Sequence, residues 1–229
     1  MAEILDHNGA AITDSTGAAL TDDIATITLN PTVGEQRNTY TILSNGNLTL
    51  TISSDIAIPA GALATLATGP TQTHYELTIN SIESGMLVGF TSPLLVVGPE
   101  TYPRPGQTQY EPGISIFTSA DSGYANGGVV TMNYAPAVGD VVIFEADTAT
   151  NVVNISYYRS GVKTLIYSTT VAAAYVPKAW TAFVSASRDA DRGTVNFGST
   201  AFASAPSTGF SAYQTPPSAT GVTATAAPV

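Results

Sequence analysis

The chain has 229 residues, a mass of 23.5 kDa and a formal net charge of -10, with 10% charged and 44% hydrophobic residues. That apolar share buries a core and argues against disorder, while a Thr-, Gly- and Pro-rich composition argues against a coiled coil. The acidic balance disfavours binding to nucleic acid or to an anionic membrane surface, and a chain with no Cys forms no disulfide, thiolate metal site or thiol nucleophile.

Residues 1–23 carry Glu3, Asp6, Asp14, Asp22 and Asp23, and the first basic residue is Arg37. Within them GAAITD at 9–14 returns as GAALTD at 17–22. This stretch reads as an N-terminal arm, either a small hairpin turning at Ser15, Thr16 and Gly17 or a segment that orders against a partner. It has neither a basic n-region nor an apolar h-region, so no secretory leader is expected. No apolar run reaches the ~18 residues of a membrane span.

Residues 24–213 read as strand after strand. Tyr75, Leu77 and Ile79 alternate with Glu76, Thr78 and Asn80, and 48–52 alternates Leu with Thr. Further strands are expected at 24–29, 86–90, 113–117, 129–134, 141–147, 152–158, 164–168, 182–187 and 194–197. Turn signals stand at Ser44-Asn45-Gly46, Asn126-Gly127-Gly128, Ser160-Gly161 and Arg192-Gly193. The one helical candidate is the Ala-rich stretch 59–68. Residues 214–229 hold three prolines and no charge, and read as an extended tail. The expected fold is an all-β antiparallel sandwich with extended N- and C-terminal arms.

Several motifs follow one another in order. HYELTINSIESGMLVGF (74–90) leads to GDVVIFEAD (139–147), VVNISYYRSGV (152–162), KAWTAFVSAS (178–187), GTVNFG (193–198) and PSTGF (206–210). Gly139 and Asp140 suit a tight strand entry, and Tyr157 and Tyr158 point to opposite faces. Ser160-Gly161 suits a two-residue hairpin turn. Asn196 is placed to satisfy backbone groups at a strand end, where Gly198 lets the chain leave. The series resembles the SPRY domain, a concanavalin A-like jelly-roll sandwich, over residues 40–213 and best over 139–210. The resemblance implies that fold and a non-catalytic recognition role. Eukaryotic members often carry more Trp than the single Trp180 here. The surroundings of Arg104 and Tyr110 match no known peptide-binding signature, so no specific ligand is carried over.

Catalytic and metal patterns are incomplete. Glu145 and Asp147 share one face of a strand, as in the E-x-D-x-x-E strand of laminarinase-type glycoside hydrolases, but Thr150 stands where the third carboxylate belongs. RDADRG at 188–193 has no acidic residue to close a calcium loop and reads as a solvated hairpin. His7 and His74 have no third ligand at a familiar spacing, and His74, opening a strand, reads as a surface or edge residue. No cofactor, metal or catalytic residue is expected. Recognition is expected instead from the loop 99–110, where Tyr102, Arg104, Gln107, Gln109 and Tyr110 sit among stiffening prolines, with Tyr124 and Asn126 in the following loop.

The reading that follows is a non-enzymatic bacteriophage virion protein, of the capsid-decoration, head-fibre or tail-fibre type. The opening residues resemble the starts of phage structural proteins. The arm 1–23 would anchor to other virion proteins or drive homo-oligomerisation, a trimer among the options, and the sandwich would present its loops to host-surface glycan or protein. The rival readings are a cement protein that only stabilises the particle, a secreted bacterial carbohydrate-binding module, and a glycosidase.

Overall fold

In the computed structural model, residues 71–92, 104–110, 112–177, 179–186 and 190–213 are described, together with short strands at 2–3, 21–22, 29–30, 41–44, 49–52 and 60–64. The chain divides into two compact units, residues 1–26 with 216–229 and residues 27–215. In the first, β1 (Ala2–Glu3) pairs antiparallel with β2 (Thr21–Asp22). The turn expected at Ser15-Thr16-Gly17 and the tail 214–229 lie outside the described residues.

The second unit opens with β3 (Leu29–Asn30), β4 (Thr41–Ser44), β5 (Thr49–Ile52), β6 (Ala60–Ala64), β7 (Gln72–Ser81) and β8 (Leu87–Thr91). It continues with β9 (Gly113–Phe117), β10 (Ser122–Ala125), β11 (Gly128–Thr131), β12 (Val141–Asp147), β13 (Val152–Arg159) and β14 (Val162–Thr170). After a 3₁₀ turn at Ala173–Tyr175 come β15 (Thr181–Ala186), β16 (Arg192–Asn196) and β17 (Ser211–Ala212). One sheet runs β11-β10-β9-β8-β15-β6-β3. The other runs β14-β13-β12-β7-β16-β5-β4, with β17 added parallel to β7.

The two inner faces make one core. From the second sheet come Leu50, Tyr75, Leu77, Ile79, Val142 and Phe144, and from the first Val88, Phe90, Ile114, Ile116, Ala182 and Val184. Tyr75 lies at the centre, stacked on Phe144 at 4.9 Å and edge-on to Phe90 at 5.1 Å, and its hydroxyl donates to the Gly89 carbonyl of the opposite sheet at 2.7 Å. Two hairpin turns fall where expected. Asn126-Gly127 and Ser160-Gly161 have φ of 53°, 84°, 52° and 85°, the left-handed pair that a type I′ turn requires.

Three local expectations are corrected. Within the Ala-rich stretch residues 60–64 form strand β6, because their backbone pairs with β15 on one side and β3 on the other, and sheet pairing overrides the helix preference of Ala. Arg192-Gly193 is not a turn but the start of β16. A side chain at Gly193 would collide with Leu77 and Met86, so the glycine makes room for core packing. The strand expected to run to Tyr134 ends at Thr131, and just beyond it the Tyr134 amide turns back to the Met132 carbonyl at 2.9 Å.

Candidate functional site

The sequence-predicted recognition residues gather partly at one corner. Arg104 lies 5.6 Å over the Tyr124 ring, and its guanidinium donates to Gln107 Oε1 at 3.3 Å. The turn that carries them is pinned from below. Ser115 Oγ donates to the Pro105 carbonyl at 2.7 Å and the Gly127 amide donates to the Gly106 carbonyl at 2.9 Å. Gln109 is exposed and Tyr110 is 84% exposed at the end of the same turn. Tyr124 is not a loop residue. It sits on β10, buried, edge-on to Phe117 at 5.6 Å, so it supports Arg104 from beneath. Asn126 ties two strands together. Its amide donates to the Thr170 carbonyl at 3.1 Å and its carbonyl accepts the Ala172 amide at 2.7 Å. Tyr102 and His7 lie outside the described residues.

A second constellation was not anticipated. His74, expected at the surface, has no exposure at all and stands on the outer face of β7, which residues 199–210 cover. Its Nδ1 lies 3.0 Å from Glu145 Oε1 on β12, its Nε2 lies 3.7 Å from Glu76 Oε1, and its ring meets Phe202 edge-on at 4.4 Å. Lys163 on β14 donates to Glu145 Oε1 at 3.0 Å and to Ser207 Oγ at 3.0 Å. Glu145 accepts the Ser207 amide at 2.7 Å and its hydroxyl at 2.8 Å. Glu76 accepts the amides of Ala203 and Ser204 at 2.9 and 3.0 Å. Two carboxylates thus share one histidine and one lysine beneath a covering loop.

Burial alone would raise the Glu145 carboxyl, but the bonds from His74, Ser207 and Lys163 outweigh it and hold it at about 2. Burial works against the His74 cation too, and Glu145 with Glu76 overcomes it, so the imidazole is raised above its ordinary value. Ser207 and Lys163 are within reach of one another, yet they do not form an activated nucleophile. The serine proton points at a carboxylate too acidic to take it, and the lysine is occupied by that same carboxylate. Among the described residues no group of three or more His, Cys, Asp or Glu side chains is arranged to hold a metal ion.

The other carboxylates read as chemistry candidates have backbone roles. Asp147 accepts the amides of Ala149 and Thr150 at 2.9 and 3.2 Å, capping the β12–β13 turn. Asp191 is buried rather than solvated, because it accepts the amides of Glu83 and Gly85, each at 2.8 Å, and fixes the β7–β8 turn. Asn196 does what was expected of it, donating to the carbonyls of Thr200 and Ala201 at 3.3 and 3.1 Å and accepting the Gly198 amide at 2.9 Å.

Solved structures share this architecture. The chain resembles a human SPRY domain with a TM-score of 0.52 at 10% identity, over 71% of this chain and 98% of that one. It resembles the PSpry domain of TRIM65 with a TM-score of 0.55 at 13% identity, over 74% of this chain and 91% of that one. The fold is a SPRY-like β-sandwich. Stonustoxin contains the same sandwich, with a TM-score of 0.54 at 11% identity over 74% of this chain, which spans only 27% of the stonustoxin chain. No protein-family model matches the sequence, and no curated protein matches it. At these identities the likeness establishes the fold alone.

Proposed function

We propose that this chain is a non-enzymatic recognition module of a bacteriophage virion, a decoration, head-fibre or tail-fibre component whose sandwich presents the 104–110 turn to host-surface glycan or protein. The observation that carries the recognition reading is Tyr110, almost fully exposed at the end of a turn held by Ser115, Gly127 and the Arg104–Tyr124 contact. A large aromatic on an anchored turn, beside Gln107 and Gln109, loses little conformational freedom when it binds. The sparsely charged, Thr- and Gly-rich sequence and the acidic arm 1–23 favour a setting among neighbouring chains of a particle, with the arm as anchor. The Ser207–Glu145–Lys163 arrangement favours a structural over a catalytic use of those groups.

The test replaces Tyr110 and Gln109 together by Ala. Adsorption of the protein to host cells is expected to fall by about tenfold or more, with an unchanged melting temperature. Undiminished adsorption removes the turn from the recognition surface. Binding to the capsid lattice with none to cells, in the unmodified chain, favours the cement role instead.

A further inference from the structure

Residues 199–210 are attached to the outer face of the second sheet at their ends by neutral contacts and at their middle by charge. At one end Asn196 holds the carbonyls of Thr200 and Ala201. At the other, β17 pairs with β7, the Tyr213 amide donates to the His74 carbonyl at 2.8 Å, and the Tyr213 side chain is buried. Between these anchors the backbone amides of Ala203, Ser204 and Ser207 donate to Glu76 and Glu145. Gly198, just before the segment, and Gly209, near its end, have φ of 110° and 89°. Each adopts a conformation other residues resist and can change it at little cost.

The imidazole between the two carboxylates decides whether this middle stays down. Both ring nitrogens face a carboxylate oxygen, Nδ1 toward Glu145 and Nε2 toward Glu76, and Nε2 has no hydrogen-bond partner of its own. A neutral imidazole carries one N–H and one lone pair. Either tautomer therefore aims a lone pair at a carboxylate, across 3.0 Å at Glu145 or 3.7 Å at Glu76. Only the imidazolium satisfies both. Among the described residues, the charged groups facing His74 are Glu76 on its own strand, Glu145 on β12 and, through Glu145, Lys163 on β14. The covering segment brings Phe202 and Ser207, which carry no charge.

We propose that residues 199–210 are a proton-latched strap, docked while His74 is an imidazolium and lifted from the sheet when His74 becomes neutral. Loss of the proton leaves Glu76 and Glu145 buried with one ammonium, that of Lys163 against Glu145. Uncompensated buried charge is costly, and water relieves it only by reaching the carboxylates, which the strap covers. The flanking anchors do not depend on this charge, so opening is local and reversible rather than global.

The experiment follows two signals in the unmodified chain as pH is raised from about 6 until His74 titrates. One is the ring-nitrogen NMR signature of His74. The other is hydrogen-exchange protection of the 200–207 amides, corrected for intrinsic exchange. Both nitrogens are expected to be protonated at the start. Strap protection is expected to fall by about tenfold or more at the pH where the ring loses its proton, while the amides of β12 keep theirs. A ring that is already neutral under a protected strap overturns the proposal, as does a strap that stays protected after the ring titrates. Glu76→Gln gives a check that keeps the histidine. A carboxamide nitrogen at the Oε1 position donates to the neutral ring but no longer accepts the Ser204 amide, so strap protection is expected to start lower while its pH-dependent loss shrinks, and an unchanged step overturns the assignment of Glu76.

Discussion

Two loops of this sandwich are fastened by buried carboxylates, one by a single carboxylate and one by a pair, and the cations they use differ. Residues 132–140 are fastened by Asp140, which accepts the Ala137 amide at 2.7 Å, the Tyr134 hydroxyl at 3.3 Å and Arg159 Nε at 2.6 Å. Arg159 also lies 5.3 Å over the Tyr157 ring, which stacks on Tyr134 at 4.9 Å. Residues 199–210 are fastened by Glu76 and Glu145, with His74 and Lys163. Arg never gives up its charge in the accessible range, whereas His does so near neutrality. The cation of the first fastening is therefore permanent and one cation of the second is conditional. Exposure separates them further, since the Arg159 side chain is 42% exposed while His74 is fully enclosed.

The largest expected effect comes from removing the centre of the enclosed cluster. Glu145→Ala leaves His74 and Lys163 without their shared anion and the Ser207 amide without an acceptor. Breaking a buried ion pair from one side costs about 3–5 kcal/mol, and urea unfolding is expected to show a loss of that size. A loss under about 1 kcal/mol would mean that water reaches the cluster freely and that the two fastenings do not differ in kind.

Asp140→Asn ranks second. It keeps the shape of the side chain and weakens the bonds to Arg159, but the freed guanidinium already reaches solvent. The expected cost is about 1–3 kcal/mol by the same measurement. The pH behaviour sharpens the contrast. Burial would raise the Asp140 carboxyl, but Arg159 and the Ala137 amide lower it, so its contribution is present above its ordinary value of 3.8 and lost as pH falls below. The raised His74 contributes below its ordinary 6.5, and that contribution is lost as pH rises through its value in the folded chain. Asp140→Asn is accordingly expected to erase part of the acid-side loss of stability and none of the alkaline-side loss. Removal of the alkaline loss by this substitution would assign it to the wrong fastening.

Much of the second sheet was legible because its strands alternate and its turns carry Gly. Residues 141–147 form a strand with the expected boundaries, Ser160-Gly161 makes the expected turn, and Asn196 makes the expected bonds to its own loop. What stayed hidden depends on residues far apart in sequence. Glu76 and His74 alternate with core residues as solvent-facing positions do, and nothing local announces that a segment more than a hundred residues later covers them. The PSTGF motif was visible as a family resemblance, but its Ser207 gained a role only when the fold set it against Glu145 and Lys163. Tyr124 was misplaced for a related reason. A four-residue strand between Ser-, Asn- and Gly-rich stretches has no period long enough to read.

The smallest expected effect asks which part of Ser207 holds the strap. Its amide and its hydroxyl both reach Glu145, and the hydroxyl also accepts from Lys163. Ser207→Ala removes the hydroxyl and leaves the amide. Lys163 keeps its direct contact with Glu145 at 3.0 Å, so no charge is orphaned. The variant removes two half-buried hydrogen bonds, but the partly exposed Lys163 can replace its own with water, so the net loss on unfolding is expected to stay near the ~0.5–1.5 kcal/mol of one bond. The conditional character should survive, because it resides in His74 and the carboxylates rather than in the hydroxyl. If Ser207→Ala instead lost as much as Glu145→Ala, the strap would be held by the hydroxyl bridge between Lys163 and Glu145. The contrast with the Asp140 loop would then be one of hydrogen bonding rather than of protonation.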